Sequence, residues 1–234
     1  MAHSHSRPRS SLISSTIGWR RKLLRRTTAC TGSPNSCTAL AVWAPFMPSV
    51  SQQSGNFTER MNPKIIIRNE IDADVGAISE VTAAAFMTLE ISNHTEQFII
   101  EALRAAKALA VSLVAELNGA VIGHIAFSPV TISDGTRGWY GLGPVSVLPT
   151  YQHQGIGAGL IQEGLSRLKA MNGRGCCLVG HPDYYRKFGF KNPSGLLVEA
   201  VPPEVFFALS FDGHYPQGTV TFHEGFRADG KAAG

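Results

Sequence analysis

From Lys64 onward the chain alternates between short β-branched runs and longer stretches with apolar residues at every third or fourth position. Lys64–Arg68 reads as a strand. Asp72 stands where it can cap a helix that aligns Val75, Ile78, Val81 and Phe86, and Thr95 opens a second carrying Phe98, Ile99 and Leu103. Val111–Leu117 and Ala120–Ile132 flank Asn118-Gly119, a pair suited to the positive φ angles of a two-residue hairpin turn. Tyr140–Leu148 is a further strand, interrupted by Gly143-Pro144. Gly157–Met171 reads as a helix with Leu160, Ile161, Leu165 and Leu168 inward, and Asn172-Gly173 ends it. Cys176–Val179 is a buried strand, and Pro182–Phe188 a short helix with Pro at its first position and Gly189 closing it. Strands follow near Phe190–Lys191, Gly195–Val201 and Thr219–His223. The order βααββ-βαβαβ predicts an α/β (α+β) domain, a mixed central sheet flanked by helices.

Residues 1–60 lack this periodicity. They hold eight Lys or Arg and a single acid, Glu59, whereas residues 61–234 hold thirteen basic and sixteen acidic residues. The net charge of +4 therefore belongs to the tail, and nucleic-acid binding is not expected of the folded part. An Arg- and Ser-rich, acid-poor start is the composition of an organellar targeting segment, and equally of plain disorder or of a chain whose working start is Met61. We expect residues 1–60 to be a disordered tail, 61–201 the domain, and 202–234 an extension packed on it with its last residues disordered. No run of eighteen apolar residues exists, so no membrane partner is expected. The four Cys have neither zinc-site nor disulfide spacing, which suits a reducing, cytoplasmic setting with no metal; adjacent Cys176 and Cys177 should point to opposite faces of their strand.

The most informative stretch runs strand, loop, glycines, helix, from Gly143 to Leu160. Gly155 and Gly157 have no side chains to hinder approach to the backbone, and the first N–H groups of the following helix converge there with its dipole, a natural seat for a pyrophosphate. A dinucleotide fingerprint needs Gly where Leu160 stands, and the sole Gly-Lys pair, Gly230-Lys231, is followed by Ala232 rather than Ser or Thr, so both common nucleotide loops fail. A tight turn without ligand accounts for one glycine but poorly for the whole pattern.

Gln152-His153-Gln154-Gly155-Ile156-Gly157 resembles the (Arg or Gln)-x-x-Gly-x-(Gly or Ala) motif of the GCN5-related N-acetyltransferase (GNAT) family. Tyr185-Arg186-Lys187-Phe188-Gly189-Phe190 resembles that family's Tyr-x-x-x-Gly-Phe. The likeness covers roughly residues 64–200, and Gly143-Pro144-Val145-Ser146-Val147 together with Tyr184-Tyr185 looks like its YhbS-like subgroup, as does the tail through Thr219–His223. Gln154 stands where the family often has Arg, which removes one cation near the phosphates.

The resemblance implies the acyl-CoA N-acyltransferase fold and transfer of an acetyl group from acetyl-CoA to an amine. It implies that two central strands part and that the pantetheine arm lies between them, with Gly143-Pro144 a plausible cause because Pro cannot donate to a ladder. The coenzyme contacts it implies are Val145, Ser146 and Val147 on the strand, then Gln152, His153, Gln154, Gly155, Ile156, Gly157 and Ala158 in the loop, with His181 and Tyr185 opposite; Arg186-Lys187 either meet its phosphates or form a solvated face. The backbone N–H near Val147 is expected to polarise the thioester carbonyl. Tyr185 is the implied acid for the thiolate, and Tyr184 is expected to face the core. The base stays open between His124, Glu116 and a water chain. The alternative is a non-catalytic acyl-CoA-binding module on the same fold. The acceptor is expected to be set by Thr88–His94 and Pro202–Gln217, with Phe206-Phe207 and Tyr215 as candidate lining or as core, and the chain to be a monomer or a homodimer.

Overall fold

The computed structural model describes residues 64–87, 89 and 92–231; the basic N-terminal segment, with its targeting and start-site readings, and the chain's last three residues lie outside them. Strand β1 (Ile66–Asn69) leads through a 3-10 turn (Asp72–Asp74) into α1 (Val75–Met87) and then α2 (Glu96–Ala105). Strands β2 (Val111–Leu117), β3 (Ala120–Pro129), β4 (Thr131–Ile132) and β5 (Trp139–Val147) follow, then α3 (Ile156–Ala170), β6 (Gly175–Val179) and the short α4 (Pro182–Tyr185). β7 (Leu196–Val198), β8 (Phe206–Ser210) and β9 (Gly218–Thr221) complete the set. Six strands form one sheet in the order β1-β2-β3-β5-β6-β8, and β4-β9-β7 form a second, smaller one. In the large sheet β5 and β6 run parallel while the other pairs are antiparallel, so the sheet is mixed and flanked by helices.

Helix α3 covers one face. Leu160, Ile161 and Leu168 meet Leu113, Ile125 and Phe127, all fully buried, and the Phe127 ring lies so close to Gly164 that no side chain fits between them. The other face is shared. Ile78 of α1 and Ile100 of α2 pack on Val114, while Val130, Ile132, Trp139, Leu196 and Val220 join the small sheet to Cys177 and Phe206. Cys176 and Cys177 point to opposite faces as expected, and burial pushes both thiols up.

Several expectations are corrected. Asp72 does not cap the first helix: it opens a 3-10 turn whose N-cap is Ile71, and Asp74, the third residue of that turn, reaches back so that its carboxylate accepts from the Ile71 N–H at 2.9 Å. At α2 the Thr95 side chain makes no capping bond, although its carbonyl accepts from the Phe98 and Ile99 N–H groups. The run Ala120–Ile132 breaks after Pro129 into strands of different sheets. Phe190–Lys191 provides only an isolated bridge from Lys191 to Ala208. The segment beyond Pro202 is integral rather than laid on: β8 pairs with β6 along its whole length and buries Phe206 and Phe207 in the cores, so neither is free to line an acceptor site. A strand buried on both faces shows an unbroken apolar run instead of alternation, which hid it from periodicity.

Candidate active site

β5 is paired on both sides only at its start. Trp139, Tyr140 and Gly141 face Gly175, Cys176 and Cys177 of β6. Beyond them β5 stays with β3 as far as Val147, while β6 continues with β8, so the two parallel strands fork. Two residues of β5, Gly143 and Pro144, stand against the single Ala126 between the pairs Leu142–Phe127 and Val145–Ile125, which is a bulge. Gly143 has φ 142°, and Pro144 brings no N–H to the ladder. Leu148 N–H donates to the Ile122 carbonyl at 2.9 Å, toward β3. Because amide direction alternates along a strand, the backbone groups of Val147 and Val145 point the other way, into the fork.

Past Val147 the chain makes a 3-10 turn (Pro149–Tyr151), and two glutamine side chains tie the loop down. Gln152 Nε2 donates to the Val147 carbonyl at 3.0 Å and Gln154 Nε2 to the Thr150 carbonyl at 3.2 Å. Both are thus spent on loop geometry. His153 (φ 62°) and Gly155 (φ 84°) take left-handed conformations, and Gly155 is the N-cap of α3. The first helical bond runs from Gly159 N–H to the Gly155 carbonyl, so the N–H groups of Ile156, Gly157 and Ala158 precede it and have no acceptor within the helix. Nothing lies within 4 Å of where a Gly155 side chain would start, so this end of the loop is open. Ile156 itself is buried in the core, and Ser146 is buried on the far face, where its hydroxyl meets Thr82 of α1 at 3.1 Å.

The room at Gly157 has another occupant. A Cβ there would stand 3.0 Å from Tyr184 Oη and 3.7 Å from a Val147 methyl. Tyr184 packs against the main core as expected, and its hydroxyl also reaches across from the element after β6 to the start of α3. Its ring is half-buried, with Lys187 Nζ 4.0 Å from the centroid. Sequence spacing carried no signal for this, because adjacent helical residues differ by a large rotation and either tyrosine can point inward. Tyr185 packs edge-on to Tyr184 (centroids 5.1 Å apart) and to Phe190 (6.1 Å), with its ring directly on Gly180, the residue that follows β6. Burial raises the Tyr185 phenol well above its ordinary value. His181 is the exposed N-cap of α4, 3.9 Å from Asp183, and makes no capping bond.

Neither base candidate lies free at the fork. Glu116 accepts from Arg68 Nε at 2.7 Å, and its strand is separated from β5 by β3. His124 neighbours Ser146 in the β3–β5 pairing but is completely buried; its Nε2 stands 2.8 Å from Ser112 Oγ and 3.5 Å from Glu70 Oε2. Ser112 Oγ donates to Glu70 at 2.6 Å, and Arg104 grips the same carboxylate through two bonds of 3.0 and 2.9 Å. A carboxylate and a committed hydroxyl leave Nε2 as the donor, so the proton-accepting nitrogen is Nδ1, which is buried without a partner. Desolvation lowers the His124 pKa, outweighing the pull of Glu70. Burial alone would raise Glu70, but hydrogen bonds from His124, Arg104 and Ser112 hold it well below the carboxylate range. Among the described residues no group of acids, His and Cys could hold a metal, and no helix is long and apolar enough to cross a membrane.

Residues 108–192 match the family model described as acetyltransferase (GNAT) domain. Over 128 residues the chain is 32% identical to the uncharacterized N-acetyltransferase YhbS of Escherichia coli (strain K12), spanning 54% of this chain and 74% of that one. A crystal structure of a GNAT family acetyltransferase from Brucella melitensis in complex with acetyl-CoA shares 50% identity with a TM-score of 0.63, over 70% of this chain and 98% of that one. YhbS from Escherichia coli, in complex with CoA, gives 28% identity and a TM-score of 0.66, over 72% and 94%. A forked β5–β6 pair, a glycine-opened helix start beyond it and relatives that span nearly the same elements lead to one assignment: this chain belongs to the GNAT family of N-acetyltransferases.

Proposed function

We propose that the chain binds acetyl-CoA with its pyrophosphate at the start of α3 and its pantetheine arm along β5, and that it transfers the acetyl group to an amine. The fork carries this reading. The Val147 N–H and the Val145 backbone groups face the fork, and a Val147 methyl lies 3.7 Å from where a Gly157 side chain would start, beside the open amides of Ile156, Gly157 and Ala158. An arm anchored at those amides and running along Val147 and Val145 brings its acyl end to the bulge at Gly143. The residues present fit such a ligand: the cradle at Gly155 is vacant of side chains, and Gln152 and Gln154 fix the loop without entering it. The CoA complexes of the two relatives support the same choice of co-substrate.

The thioester supplies an activated carbonyl: the amine nitrogen bonds to its carbon, the carbon–sulfur bond breaks, and one proton lost by the amine is balanced by one gained by the thiolate. Backbone N–H groups lining the fork stabilise charge on the carbonyl oxygen. Tyr185, over the end of β6, is the proton donor to sulfur; like any tyrosine it is protonated at neutral pH, burial makes that proton harder to give, and the water that takes the amine proton returns one to the phenolate. Tyr184, across the mouth of the loop at Gly157, shapes the phosphate end. With Glu116 and His124 bound into networks and no carboxylate on β5, the amine proton leaves to water. Exposed His153 and His181 flank the phosphate and arm sites.

Calorimetric titration with acetyl-CoA tests the reading through Gly155→Val. At φ 84° a β-branched residue is strained by about 1–2 kcal/mol, and its bulk fills the open side of the cradle. Affinity should fall by about tenfold or more. Unchanged uptake by that variant, or no uptake by the wild type, would falsify the assignment.

A further inference from the structure

At the fork itself the face away from α3 carries an aromatic pair that the transfer chemistry above does not use. Gly141 is the last β5 residue paired with β6, and a Cβ there would lie 2.6 Å from Phe222 Cε1, so only glycine admits that ring onto the strand. Gly143 is the first residue of the bulge, and its Cβ position is 3.9 Å from Phe226 Cε1. The two rings are 5.1 Å apart between centroids and tilted by 55°, and both stay partly exposed. Together they span the point where β5 and β6 separate.

The segment that carries them is clamped. Gly225 packs on Leu103 of α2, and Gly230 lies directly on Phe98 of the same helix. His223 Nδ1 accepts from Gly225 N–H at 3.1 Å, and the His223 carbonyl accepts from Phe226 N–H at 3.0 Å. The charged members Glu224 and Arg227 line a hollow against α2 with Phe98 and Glu101, on another side of the segment, which leaves an apolar wall at the fork.

Resting on the reading that the acyl end of the co-substrate reaches Gly143, we infer that Phe222 and Phe226 form the acceptor wall and that the acceptor is a primary amine carried on an aryl or branched-alkyl group. α3 fills the opposite face of the sheet, so the amine enters from the aromatic side. There the two rings cover the apolar group beside the reacting amine.

Initial rates with acetyl-CoA and four amines test this: 2-phenylethylamine and 3-methylbutylamine against putrescine and ethanolamine. The wild type should favour the first two in kcat/KM. Phe226→Ala should lower the ratio of phenylethylamine to putrescine by about tenfold or more, and Phe226→Leu, which keeps apolar fill and the fold, by less. A wild type that prefers the hydrophilic amines, or that binds acetyl-CoA and acetylates none of the four, overturns the inference. So does an equal fall for all four amines in both variants. Failure of the transferase reading shows separately, as absence of acetyl-CoA binding before any amine is added.

Discussion

The fork edge of β5 and the polar face of the β3–β5 pair handle polar groups in opposite ways. On the route to α3, the Val145 and Val147 backbone groups and the Ile156–Ala158 amides are left without strand or helix partners by a bulge, a proline and a glycine. On the polar face, Glu70, Arg104, Ser112 and His124 bond to one another so that His124 Nδ1 is the one atom of the four side chains buried without a partner. The first arrangement has capacity for a ligand; the second, though richer in the residue types that do acid–base chemistry, has spent its capacity on itself. A titratable side chain on a central strand is therefore weaker evidence of catalysis than a main chain with unused donors.

If that contrast holds, the largest effect belongs to Tyr185, on the fork side. Tyr185→Phe keeps the ring contacts with Phe190 and Phe207 and removes the only proton the side chain can give. The expected loss in kcat is about 10²-fold or more, with acetyl-CoA affinity unchanged by calorimetry. An undiminished kcat would make Tyr185 a packing residue and hand the proton transfer to water. The network side should respond in stability instead. Glu70→Gln leaves Arg104 without its charge partner in a site less than a third exposed. A fully buried pair broken this way costs about 3–5 kcal/mol, and partial exposure discounts that to about 1–3 kcal/mol in urea unfolding. Acetyl-CoA affinity that drops along with stability would mean the fork edge and the polar face are coupled.

Much of this architecture was legible beforehand because it rests on local rules. Asn118-Gly119 fixes the β2–β3 hairpin, both at positive φ, and the 3.6-residue period of Leu160, Ile161 and Leu168 marks the buried side of α3. The glycine loop was legible because positive φ at Gly155 needs a residue without Cβ. β8 was not, since Phe206-Phe207-Ala208 is apolar on both faces and follows two prolines. The site suffered a related blindness. Tyr184 reaching Gly157, and Phe222 lying on Gly141, join residues far apart in the chain through the absence of a side chain, which no spacing within either segment encodes.

The smallest effect separates His124 as structure from His124 as base. Its folded-state pKa is depressed by burial, so below its unfolded value of about 6.5 the unfolded chain takes up a proton that the folded chain resists. Stability must therefore fall as pH drops from 7 toward 5, by at most about 1.4 kcal/mol per pH unit for one such group. Glu70 adds its own loss only in a lower window, below about 4.3, where the unfolded carboxylate protonates first. His124→Gln should flatten the upper window while the lower one persists, as read by urea midpoints at each pH. The acid limb of kcat/KM, governed by the acceptor amine and water, should keep its midpoint in the same variant. Were that limb to shift while the stability slope stayed put, His124 would belong to the chemistry after all, and the polar face would have to be counted as part of the active site.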